Sequence, residues 1–244
     1  MEKRCLLLII LFVFISLIIP QSITQIAQEA IWVANWGSAN ITKLKPDGTT
    51  AGTFTVGSRP IGIAVDGARN VWVTNERSNT VSKLNPDGTT IGTFSVGDGP
   101  RGITVDGAGN VWVTNPAFTT GGSNNVTKLK PDGTTRGTFN VGRQPVDIAV
   151  DGAGNVWVAN SFSNNVTKLK PDGGLLGTFD VGRQPVNIAV DSAGNVWVAN
   201  FSSSNVTKLK PDGTTVGTYT VRGLPMGIAI DASGNVWVAN RRRL

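Results

Sequence analysis

Val156-Trp157-Val158-Ala159-Asn160 is the stretch on which the reading of the fold turns. With at most one change of residue it returns around Trp32, Trp72, Trp112, Trp157, Trp197 and Trp237, at intervals of 40, 40, 45, 40 and 40 residues. Self-similarity at such a period marks a repeat fold, because one unit cannot bury its own apolar faces and must stack on the next.

Working outward, the unit from Arg59 to Val96 reads Arg-Pro-Ile-Gly-Ile-Ala-Val-Asp, Gly-Ala-Arg-Asn, Val-Trp-Val-Thr-Asn, a short polar loop, Thr-Val-Ser-Lys-Leu, Asn-Pro-Asp-Gly, then Thr-Thr-Ile-Gly-Thr-Phe-Ser-Val. These are four short β-branched runs separated by turn signals. Pro-Asp-Gly, with its Asp at Asp47, Asp87, Asp132, Asp172 and Asp212, presets a hairpin turn: Pro fixes φ and Gly supplies the positive φ that closes it. The loop opened by Asp66 recurs at Asp106, Asp151, Asp191 and Asp231, where the carboxylate can bond its own backbone two residues on. Two hairpin connections per unit make the strands antiparallel.

Side-chain size then selects the architecture. The first strand carries Gly62 and Ala64, the second a Trp, the fourth Phe94 or, in the last copy, Tyr219. Small residues fit where sheets crowd round an axis, and large ones fill the gap that widens outward. That taper is the requirement of a β-propeller. The expected fold is therefore all-β, a β-propeller of four-stranded antiparallel blades. The second strand occurs six times and each of the others five times, one strand more than five full blades need. Five to six blades are expected, in a ring closed by both termini so that no sheet edge is left unpaired.

The pattern Pro-x-Gly-Ile-Ala-Val-Asp-x-x-Gly-Asn-Val-Trp-Val-Ala-Asn resembles the NHL-type propellers and, among them, the streptogramin lyase (virginiamycin B lyase) family, over the whole chain after its first segment. The resemblance implies the propeller fold. It also implies a lyase that uses a His general base and a magnesium ion held by glutamate. Here the chain departs from the family: it has no His, and past the first apolar run its only Glu residues are Glu29 and Glu76. Ser/His/Asp and Cys/His nucleophilic systems are excluded for the same reason.

The N-terminus reads differently from the repeats. Glu2-Lys3-Arg4 precedes an apolar run from Cys5 to Ile19, broken only by Ser16 and stopped by Pro20. Residues 1–30 are expected to be a signal peptide, with Ala27 or Ala30 as cleavage positions and an uncleaved anchor as the alternative; residues 31–244 are then one propeller domain, secreted or periplasmic. A membrane is a partner only if that segment stays. Removal of the segment takes away Cys5, the single cysteine, so disulfides do not hold the mature chain. The net charge of +6 is spread over the repeats, and aromatics do not interleave with lysines, so nucleic acid is not expected as a partner.

Antiparallel topology puts the two regular turns of each unit on one rim and the irregular loops on the other. The irregular rim holds Trp36, Glu76, Arg77, Phe118 within a five-residue insertion, Phe162 and Phe201. The loops between blades add Arg59, Arg101, Arg143, Arg183 and Arg222, five guanidinium groups expected around one axis. Such a ring invites an anion, since guanidinium forks match carboxylate, sulfate or phosphate, and aromatic faces beside it invite a planar group or sugar. Asp147 and Asn187 replace the Gly found at Gly62, Gly102 and Gly227; they are expected at the channel mouth, with Asp147 an ion-pair partner of the arginines.

The five Asp residues after the inner strands read as turn caps, so no metal and no other cofactor is expected. No residue is assigned a catalytic role. The sequence thus points to an exported, noncatalytic binding module for an anionic small molecule, a glycan or a protein on the Arg/aromatic rim. A streptogramin-lyase-like C–O lyase and a structural repeat that associates through incomplete blades are the alternatives.

Overall fold

In the computed structural model, residues 30–116 and 124–242 are described. The expected signal segment, apart from its last position, lies outside them, as do Phe118 and the final two residues. Among the described residues every regular element is a strand, and all pairings are antiparallel.

The strands form six sheets, each a blade. Blade 1 contains β1 (Ile31–Asn35), β2 (Asn40–Leu44) and β3 (Thr50–Thr55); blade 2 contains β4 (Pro60–Val65), β5 (Val71–Asn75), β6 (Thr80–Leu84) and β7 (Thr90–Ser95). Blade 3 has β8 (Ile103–Val105), β9 (Val111–Asn115), β10 (Asn125–Leu129) and β11 (Thr135–Asn140). Blade 4 has β12 (Pro145–Val150), β13 (Val156–Asn160), β14 (Asn165–Leu169) and β15 (Leu175–Asp180), and blade 5 has β16 (Pro185–Val190), β17 (Val196–Asn200), β18 (Asn205–Leu209) and β19 (Thr215–Thr220). Blade 6 consists of β20 (Leu224–Ile230) and β21 (Val236–Arg241). Among the described residues the surplus second strand is thereby placed: blade 1 shows three strands without an inner one, and blade 6 shows two. No ladder among the described strands joins blade 6 to blade 1.

The core lies between blades and not on the axis. Five buried clusters each combine residues of two successive blades, such as Trp112 and Val126 with Val156, Val158 and Leu169. The second strand is buried on both faces, which is why Val-Trp-Val is continuously apolar and does not alternate.

Each buried Trp that follows an inner strand is fixed from three sides. Its Nε1 donates to Oδ2 of the Asp that closes the preceding inner strand, Asp66 for Trp72 and Asp106 for Trp112, at 3.0 Å. A Lys of the third strand sits over the ring, Lys83 on Trp72 at 4.7 Å and Lys128 on Trp112 at 4.5 Å. Phe94 and Phe139 tilt against the same two rings at 5.8 and 5.7 Å. The turn-cap Asp residues take backbone N–H groups as expected, for instance Asp66 Oδ1 from Ala68 and Asn70. Burial raises the carboxyl pKa values of Asp66, Asp106, Asp151 and Asp191, but the Asn and Trp donors outweigh it and hold them below the ordinary value.

Candidate functional site

The irregular rim is built by one backbone clasp used repeatedly. Glu76 N–H donates to Arg59 O at 2.9 Å, Ser161 N–H to Gln144 O at 2.8 Å and Phe201 N–H to Gln184 O at 2.9 Å. The loop after the second strand is thus tied to the loop that opens its own blade. One variable side chain per blade stands at the clasp: Trp36, Glu76, Ser161 and Phe201 hold equivalent places in the repeat. Non-glycine residues with left-handed backbone concentrate here: Ala39, Arg59, Asn79, Gln144, Asn164, Gln184 and Ser204 lie on this rim, and only Arg69 lies on the other. Backbone strain of that kind gathers where a surface is shaped for binding.

Two clusters of the expected site residues result. In the first, Glu76 is the hub: Arg59 Nη1 lies 4.0 Å from Oε2, Arg101 Nε lies 3.8 Å from Oε1, and Trp36 Nε1 donates to Oε2 at 3.4 Å. The Arg59 guanidinium also covers the Trp36 ring at 4.7 Å. Side chains from blades 1, 2 and 3 are joined there. Glu76 was read from sequence onto the irregular rim but given no role there; its place on that rim and its being one of only three Glu in the chain were its signals.

The second cluster is a shallow cleft of about 340 Å³ lined by Ser161, Phe162, Asn164, Arg183, Gln184 and Ser202. Phe162 is 58% exposed, an aromatic side chain offered to solvent in a cleft that Arg183 also lines. The lining is positioned from the backbone: Phe162 N–H donates to Arg143 O at 3.1 Å, Arg183 N–H to Ser203 Oγ at 2.6 Å, and Ser202 Oγ–H to Gln184 Oε1 at 2.5 Å. Of these six residues only Phe162 and Arg183 were anticipated. The Ser, Asn and Gln members look in sequence like ordinary turn formers.

The five arginines do not occupy one register. Arg59 directly precedes its blade-opening Pro, Arg101 directly follows one, Arg143 and Arg183 stand two residues before theirs, and Arg222 stands three before Pro225. Arg59 and Arg101 meet at Glu76, Arg183 lines the cleft, and Arg143 and Arg222 are exposed outside both groups. Phe201 is half-buried at its clasp.

Asp147 and Asn187 lie deeper, on the inner strands, and both reach circumferentially to the next blade. Asp147 Oδ2 accepts from Ile188 N–H at 2.9 Å and from Asn187 Nδ2, while Asn187 Oδ1 accepts from Ile228 N–H at 2.7 Å. Blades 2 and 3 solve the same lacing differently. Thr74 Oγ1 takes Gly62 N–H and donates to Arg101 O, each at 2.8 Å, and Thr114 Oγ1 takes Gly102 N–H at 2.9 Å. A Cβ on Gly102 would come within 2.8 Å of Asp147 Cα, so that position must remain glycine. In blades 2 and 3 Gly thus accompanies Thr (Gly62 with Thr74, Gly102 with Thr114), in blades 4 and 5 an acid or amide accompanies Ala (Asp147 with Ala159, Asn187 with Ala199), and in blade 6 Gly227 stands opposite Ala239.

Although Asp147 as a residue is only half-buried, its carboxyl group is desolvated between the inner strands. That burial pushes its pKa up to about 7, against hydrogen bonds from the Ile188 and Ile148 backbone and the nearby Arg101 charge, which pull it down.

Comparison with known proteins follows the same geometry. The virginiamycin B lyase family model matches residues 18–243. Among curated proteins, none matches the sequence significantly. By structure the chain is similar to virginiamycin B lyase from Staphylococcus aureus, with 16% identity, 89% of this chain and 76% of that one covered, and a TM-score of 0.79. It is also similar to a catalytically inactive histidine-to-alanine variant of virginiamycin B lyase from Staphylococcus aureus, solved with quinupristin, at 15% identity, 90% and 81% coverage and a TM-score of 0.75. A gluconolactonase from Xanthomonas campestris matches at 18% identity, 88% and 80% coverage and a TM-score of 0.67. At such identities the structural likeness is one of fold.

Proposed function

The chain belongs to the virginiamycin B lyase family, and from that premise we propose that it is an exported, noncatalytic propeller that binds an anionic or aromatic-bearing ligand on its irregular rim. The observation that carries this reading is the cleft lined by both Arg183 and the exposed Phe162 among neutral donors and acceptors. A guanidinium fork takes a carboxylate, sulfate or phosphate oxygen pair, and a neighbouring ring takes a sugar or aromatic face. Ser161, Asn164, Gln184 and Ser202 supply uncharged hydrogen-bond groups of the kind that fix a ligand's orientation in such a cleft. An acidic glycan, an anionic small molecule or an acidic protein segment satisfies that chemistry.

A screen of acidic glycans and small anions by calorimetry tests the proposal. Arg183→Ala and Phe162→Ala are each expected to weaken binding about tenfold or more, as loss of one charged or aromatic anchor does. Unchanged affinity in both variants would remove the cleft from consideration.

Two observations favour a second reading, a C–O lyase: the family itself, and the likeness to a lyase described as inactive once a histidine is replaced by alanine. The absence of histidine from these 244 residues weighs against it, since neutral-pH proton transfer then falls to a carboxylate or an amine. Ring opening of quinupristin by the purified protein would decide for that reading.

A further inference from the structure

Glu76 of blade 2 and Ser161 of blade 4 hold the same seat on the irregular rim. Each directly follows the Asn that ends a second strand, Asn75 or Asn160. Each donates its backbone N–H to the residue before the blade-opening Pro, Glu76 to Arg59 O at 2.9 Å and Ser161 to Gln144 O at 2.8 Å. Each also stands by the loop that opens the next blade: Glu76 Oε1 lies 3.8 Å from Arg101 Nε, and Ser161 lines the cleft together with Arg183 and Gln184.

The two seats differ in what fills them. Glu76 brings a carboxylate, on a side chain only 14% exposed, that answers Arg59 and Arg101 from within the chain. Ser161 stops at a hydroxyl, and no carboxylate lines the cleft of about 340 Å³ that it borders.

The hydrogen-bonding groups of the cleft lean the same way. Asn164 Oδ1 accepts from Gln184 N–H at 2.9 Å, and since a backbone donor can meet only the oxygen of that amide, its orientation is settled. Gln184 Oε1 accepts from Ser202 Oγ. The backbone carbonyls of Asn164, Arg183 and Gln184 accept from the N–H groups of Val181, Ser202 and Phe201 at 3.1, 3.1 and 2.9 Å. With those oxygens engaged, what the three residues still bring to a ligand is N–H, from two amide NH₂ groups and one guanidinium fork. A group made only of acceptors suits such a lining, whereas an ammonium or a hydroxyl hydrogen finds few partners in it. A carboxylate is such a group, and it is what the equivalent seat in blade 2 already holds.

We propose, on the premise that this cleft is the ligand site, that it takes the carboxylate of an aromatic or sugar acid in the seat that Glu76 fills in blade 2, with the ligand's ring on Phe162. The chain thus carries, at Glu76, an internal copy of the group it binds at Ser161.

Equilibrium dialysis of the full chain against labelled benzoate and labelled glucuronate, with benzamide and glucose as neutral counterparts, tests this. At least one acid is expected to bind about tenfold or more tighter than its counterpart, at one site per chain, and which one does so identifies the ring as aromatic or sugar. Glu76→Ser opens the equivalent seat and should raise the count from one site to two, because Arg59 and Arg101 then lose the Glu76 carboxylate. Ser161→Glu puts an internal carboxylate into the cleft and should abolish the wild-type site. Acids that bind no better than their neutral counterparts overturn the inference, as does an unchanged single site in either variant. If another anion still binds in a way that Arg183→Ala and Phe162→Ala weaken, the proposed function survives that result; if no ligand binds, both are lost. The wild-type comparison of acids with neutral counterparts decides alone if a variant fails to give the wild-type circular dichroism spectrum.

Discussion

Asp147 is where protonation and folding are most closely linked. Its pKa is pushed up to about 7 from 3.8, so the folded chain holds this proton more tightly than the unfolded one. Its contribution is therefore full at pH below the unfolded value and is lost as pH rises toward about 7. Asp66, Asp106, Asp151 and Asp191 are shifted the other way, and their contributions fade only when pH falls below the ordinary carboxylate range. Between about pH 8 and about pH 5 the melting temperature is thus expected to rise, with Asp147 as the source. Asp147→Asn should flatten that slope and melt roughly 3 °C above wild type at about pH 8. An amide suits the site, because Asn187 makes the equivalent bond to Ile228 one blade on. A wild-type melting temperature that is level over this range, or a slope that survives in the variant, would show that Asp147 does not titrate as its surroundings require.

At the level of the strand, the Trp of Val-Trp-Val is the same residue in six settings, and its surroundings fix its worth. Trp112 is fully buried between blades 3 and 4, whereas Trp237 is 62% exposed. Trp112→Ala is expected to cost about 3–5 kcal/mol in a denaturant titration, the usual penalty for emptying a packed aromatic site. Trp237→Ala in dilute solution should stay within about 1 kcal/mol. Equal losses would contradict the packing. The sequence disclosed this layer well because strand pairing and turns follow local chemistry: Pro-Asp-Gly and the Asp-opened loops fall between strands in every blade, and the small-to-large taper from Gly62 to Phe94 runs outward as read. It disclosed the rim poorly. Glu76 gains its two arginines and Trp36 only when three blades are assembled, and Ser161, Asn164 and Ser202 carry no periodic signal that separates a cleft from a turn. The Gly/Thr and Asp/Ala alternation was visible as substitution, but its meaning depends on how closely neighbouring inner strands approach.

Across the whole molecule, stability is distributed as a chain of nearest-neighbour contacts, because each buried cluster belongs to two adjacent blades and none spans the axis. A blade covered on both faces must break two such contacts to open; a blade covered on one must break only one. Blade 4 is of the first kind, with every residue of β13 buried, and blade 6 is of the second, with two strands and with Met226 and Trp237 exposed. Native-state hydrogen exchange at low protein concentration should therefore show amides of β20 and β21 exchanging faster than those of β13 by roughly two orders of magnitude or more. Uniform protection along the chain would mean that the blades open as one cooperative unit and that nearest-neighbour coupling is the wrong description.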